Sequence, residues 1–128
     1  MADAPPDSAR IAQIAADTVG GAQRRLPPDL RLLARGVPVL YERLPGADVI
    51  AQGFPADILG FFTGSPYGTE FSGEMPESPR IILFLDNLWD FAENDPEIFR
   101  EEVRITYLHE LGHYFGWDED ELAARGLE

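Results

Sequence analysis

The chain is 128 residues long with a mass of 14.2 kDa; 45% of its residues are hydrophobic and 11% aromatic, and ten basic residues, all arginine, face 23 acidic ones for a formal charge of −13. That length suits one domain with a core of its own, and the charge argues against a nucleic-acid backbone or an anionic membrane surface as partner. Without cysteine there is no disulfide framework, thiolate metal site or thiol catalysis.

Residues 1–7 (MADAPPD) read as a flexible leader, which leaves 8–128 as a single domain, and the first twenty residues lack the basic and apolar regions of a secretory signal. No run approaches the roughly 18 apolar residues of a membrane helix, so the expected location is cytoplasmic. Ser8 can cap a helix on which Ile11, Ile14, Ala15 and Val19 recur at helical spacing. Gly20 and Gly21 weaken that helix, and Pro27 with Pro28 ends it. Pro28 then suits the first position of a short helical turn through Leu30, Leu32 and Leu33, closed by Gly36.

Residues 37–44 (VPVLYERL) predict a strand, with Pro38 at its start or on an edge. The stretch 45–79 is rich in glycine and proline and holds short strand candidates at 58–62 and 68–71. Residues 80–85 (RIILFL) carry the strongest strand signal. That strand could line a cleft and pair with an extended peptide, or lie inside the sheet. Asp95 followed by Pro96 is an N-cap with proline at the first helical position, and the helix it opens runs to a glycine stop at Gly116. A last short helix is expected over 119–125. From Asp86 onward thirteen acids face three arginines, mostly a solvated acidic face.

The only two histidines stand in His109-Glu110-Leu111-Gly112-His113. On a helix, positions i and i+4 share a face, so both imidazoles can reach one zinc ion at roughly 2.0–2.1 Å. Glu110 is rotated off that line by about 100° and stands beside the metal, where it can accept a proton from a zinc-activated water and return it to a leaving group. Glu102, Thr106, His109, Glu110 and His113 fall within about 100° of arc, a polar stripe on a helix otherwise apolar in its last two turns. Glu102 and Thr106 are thus candidates to touch the metal or its ligands, although a surface acid and an ordinary helical threonine are the simpler readings.

Gly116 allows a left-handed turn that brings the following residues back towards the metal. Glu119, six residues after His113, suits the third ligand, an oxygen donor that zinc accepts beside two histidines; Asp118 and Asp120 are the alternatives. Tyr67, Tyr107 and Tyr114 could donate to an oxyanion, with core packing the better reading for the two on the helix. Trp89 and Trp117 read as core or rim aromatics.

Residues 101–122 (EEVRITYLHELGHYFGWDEDEL) resemble the signature H-E-x-x-H-x-x-G-x-x-[D/E] of the small bacterial zincin-like metallopeptidases, the minimal zincins. The stretches LPPDLRLLARGVPVLYERLP, ILGFFTG and RIILFLDNLWDFA also follow that family's upstream pattern, so the resemblance spans about residues 8–125. It implies an α+β zincin-like fold: a small mixed or antiparallel sheet of about three or four strands, an N-terminal helix, the metal helix and a short C-terminal helix. It further implies one Zn2+ per chain on His109, His113 and Glu119, Glu110 as general base, and a peptide or protein substrate. The signature's last position is more often Asp, so Glu119 is a departure that keeps Asp118 and Asp120 open. So small a chain builds a shallow cleft, leaving room for a protein partner that supplies specificity. The alternatives are a zinc-binding regulatory domain with vestigial activity and a metal-dependent ribonuclease with H-x3-H-x5-H spacing; the charge and the absence of lysine oppose RNA. Manganese, iron or nickel could occupy the same donor set.

Overall fold

The computed structural model describes residues 8–64 and 78–125, apart from the side chain at 119. The strand expected over 68–71, Tyr67 and the leader lie outside the described residues. In chain order the elements are α1 (Ser8–Arg24), α2 (Pro28–Ala34), β1 (Val39–Glu42), α3 (Ala47–Ala51), β2 (Gly60–Thr63), β3 (Arg80–Phe84), α4 (Leu85–Phe91), α5 (Pro96–Tyr114) and α6 (Glu119–Ala124). The fold is α+β, built on a three-stranded mixed sheet of order β1-β3-β2. β1 runs parallel to β3 and β2 antiparallel to it.

The 80–85 run is apolar without alternation because β3 is the central strand, covered on both faces. Ile81 and Leu83 point into the main core, with Ile11, Ala15 and Val19 of α1, Leu88 of α4 and Phe99, Val103 and Tyr107 of α5. Ile82 and Phe84 point the other way, into a smaller cluster with Val49 of α3, Phe54, Ile58 and Phe61. A cleft-lining role for residues 80–85 is thereby excluded, and among the described residues the edge strands are β1 and β2.

The three strands differ in extent from the expectation, β2 spanning Gly60–Thr63 where 58–62 was expected. β1 is four residues long, shorter than 37–44, because Pro38 cannot donate; its carbonyl instead accepts from the Ile81 amide at 3.0 Å. The strand β3 stops at Phe84, and Leu85 already opens α4, a helix not foreseen from the sequence. Its buried positions Leu85, Leu88 and Ala92 do recur at helical spacing, but the preceding apolar run masks the change of period. The turn out of α4 places Glu93 and Asn94 in the left-handed region (φ 56° and 61°), directly before the Asp95 cap. α3 also went unforeseen, five residues in a proline- and glycine-rich stretch.

Both ends of α5 follow the expected chemistry. Asp95 Oδ1 accepts from the amides of Glu97 and Ile98 at 2.9 and 3.2 Å, with Pro96 at the first helical position. At the other end Gly116 adopts φ 83°, its amide bonds to the His113 carbonyl, and Trp117 bonds to Gly112. This paired closure is the Schellman motif, which requires a residue free to adopt positive φ. It turns the chain directly into α6.

Candidate metal centre

The last two turns of α5 carry the two histidines, and Glu110 between them faces β2. His109 Nε2 and His113 Nε2 stand 3.1 Å apart, with ring planes at 87°. Two nitrogens at roughly 2.0–2.1 Å from a tetrahedral ion are about 3.3–3.4 Å apart, so the observed spacing needs only a slight opening to accept zinc. A carboxylate oxygen of Glu110 completes a group whose ligand atoms all lie within 4.8 Å of one another. All three residues are half-buried, partly shielded from water yet reachable.

Glu110 is held by the sheet. Its Oε1 accepts from the backbone amide of Phe62 on β2 at 2.9 Å. The register explains why that amide is available. Phe84 N–H donates to the Leu59 carbonyl, so the ladder with β3 uses Leu59, Phe61 and Thr63, and the amides of Gly60 and Phe62 face outward. The Glu110 side chain of the metal helix therefore reaches the outward edge of β2, which no other described strand covers. Upstream, Asn87 of α4 donates to the carbonyls of Ala56 and Ile58, both at 2.9 Å, and fixes the chain entering this edge.

Thr106, buried at 8% exposure, belongs to this packing: an added Cβ on Gly60 would come within 3.0 Å of its methyl carbon. Glu102, one turn earlier, is partly exposed. Beyond the helix, Asp118 caps α6, its Oδ1 accepting from the Glu121 amide at 2.9 Å. Glu119 is the first residue of α6 and its side chain lies outside the described residues, while Asp120 is exposed. α6 is seated by Leu122, fully buried against Gly112 between the histidines, where an added Cβ would overlap the leucine side chain.

The aromatic residues divide as the sequence suggested. Tyr107 is fully buried and its hydroxyl accepts from Gln23 Nε2 at 3.0 Å, and Tyr114 is buried against Phe62. Trp89 meets Phe99 edge-on, and Trp117 lies under the Arg125 guanidinium at 3.9 Å. What the sequence did not reveal is the part played by Gly60, Phe62 and Asn87. A candidate strand was visible at 58–62, but nothing local indicates that its edge faces Glu110, 48 positions away.

A helix with two convergent histidines and a glutamate, packed against a small mixed sheet, is an architecture for metal-dependent hydrolysis. Residues 34–127 match the family of zincin-like metallopeptidases, and the chain belongs to that family. The match begins at the last residue of α2, so α1 lies outside it. No curated protein matches the chain at a significant level.

Proposed function

We propose that this protein is a zinc-dependent peptidase in which His109, His113 and the carboxylate of Glu119 hold the ion and Glu110 is the general base. The observation that carries this reading is the convergence of both Nε2 atoms and a Glu110 oxygen, the latter held by the backbone of an edge strand. A zinc ion in that donor set would supply Lewis acidity, polarising the scissile carbonyl and acidifying water.

The chain's own groups do the rest. An extended peptide can run along β2, meeting the outward amide of Gly60 and the outward carbonyls of Gly60 and Phe62. The Glu110 carboxylate takes a proton from water as its oxygen bonds to the carbonyl carbon. When the C–N bond breaks, that proton passes to the departing amine nitrogen. Half-burial of Glu110 and its fixed partner keep it aimed during both transfers.

Metal content by mass spectrometry and cleavage of a peptide library test the reading in wild type, Glu110→Gln and Glu119→Ala. One zinc per chain is expected in wild type and Glu110→Gln, with cleavage by wild type alone and loss of zinc in Glu119→Ala. Zinc bound but no peptide cleaved by wild type would instead assign a non-catalytic zinc domain. No transition metal bound after incubation with zinc would end the metal reading altogether.

A further inference from the structure

We propose that the backbone amide of Phe62, set in place by the contact of Gly60 with Thr106, is a positioning group for Glu110, coupling the strand that receives the substrate to the base that acts on it. This rests on reading Glu110 as the base. The hydrogen bond to Oε1 ties one carboxylate oxygen to the strand backbone. A glutamate side chain has several rotamers open to it, each added fixed partner narrows the choice, and misplacement of about 1 Å can cost a hundredfold in rate.

The anchor sits at a defined depth because β2 approaches α5 closely at Gly60. A Cβ there would meet the Ile82 carbonyl oxygen at 2.8 Å and both Leu83 Cδ2 and the Thr106 methyl at 3.0 Å. Only glycine lets the strand lie this near the helix. Thr106, one turn before Glu110, thus acts through packing and not as a ligand: its methyl fixes the gap that the Phe62 amide spans.

The outward direction of this amide makes the idea testable by substitution. Proline is tolerated at an edge position whose N–H is outside the ladder, so Phe62→Pro removes the donor while leaving the β2–β3 hydrogen bonds intact. Phe62→Ala removes the same side chain but keeps the amide. The expected result is a kcat about tenfold or more lower in Phe62→Pro than in Phe62→Ala, with similar KM and equal zinc content. Equal kcat in the two variants would overturn the proposal.

Hydrogen exchange of the metal-free protein gives a readout independent of activity and of folding defects in the proline variant. The Phe62 amide of wild type should exchange slowly despite facing away from the sheet, and Glu110→Ala should speed it by about tenfold while the amides of Phe61 and Thr63 keep their protection. Unchanged exchange at Phe62 would overturn the contact yet leave the peptidase reading standing. If wild type cleaves no peptide, the peptidase reading fails and the positioning role falls with it, whatever the exchange rates show.

Discussion

Tyr41 and Asp118 show how single side chains are committed by their surroundings. Burial, with Tyr107 nearby as a lesser cause, pushes the Tyr41 phenol up to about 12. Its folded pKa then lies above the unfolded value of about 10, so the neutral phenol stabilises the fold below pH 10, and that contribution is lost as pH rises from about 10 to 12. Denaturant titrations near pH 9 and pH 11 should show wild type losing more stability between them than Tyr41→Phe; equal losses would mean the phenol is not shielded. Asp118 is engaged as the cap of α6, so Asp118→Ala should lower stability by about 1 kcal/mol while retaining zinc. Zinc loss in Asp118→Asn, which preserves a capping oxygen, would make Asp118 a ligand and refute that division of labour. The pair of histidines and Glu110 were legible in the sequence because their relation is local, fixed by helical periodicity. The Phe62 amide was not legible, because which strand edge faces a helix is decided by sheet order, and a backbone donor leaves no mark in side-chain chemistry.

At the scale of elements, α5 was the most readable part of the chain because its two ends carry their own chemistry, Asp95-Pro96 at one and Gly116 at the other. α4 was obscured for the opposite reason: it starts from Phe84 without a side-chain cap and shares the apolar character of the strand before it. The contact that seats α6 was also invisible, since Gly112 reads simply as a variable position inside the histidine motif. Its physical role is to admit Leu122. Gly112→Ala should therefore cost about 1–3 kcal/mol through overpacking, and part of that cost should vanish in the double variant with Leu122→Ala. Because Glu119 opens the helix that Leu122 anchors, Gly112→Ala should also weaken zinc binding. Strictly additive effects in the double-mutant cycle would show that the two residues are not in contact. Unchanged zinc affinity in a destabilised Gly112→Ala would place the third ligand outside α6.

For the molecule as a whole, the arrangement divides labour between a supporting side and a working edge. α1 lies outside the family match, yet its Ile11, Ala15, Val19 and Ala22 fill the main core with the buried side of α5. This packing leaves Glu110 turned towards β2, where it meets the Phe62 amide. Among the described residues no helix is long and apolar enough to cross a membrane. Since two proposed ligands come from α5 and the third from the start of α6, zinc would bind the folded chain only, tying together segments that separate on unfolding. Such a ligand stabilises by RT ln(1 + [L]/Kd), about 2.7 kcal/mol at a hundredfold excess over Kd. Wild type should therefore unfold at a higher temperature with zinc than with a chelator, and His113→Ala should show almost no difference. Glu119→Ala is the informative comparison at the same free zinc concentration. A two-histidine site binds more weakly, so its stabilisation should fall well short of wild type; a gain equal to wild type would mean that Glu119 does not hold the metal. Hydrogen exchange locates the effect: added protection should concentrate in the last turns of α5 and in α6, while α1, already packed without the ion, should change only with global stability.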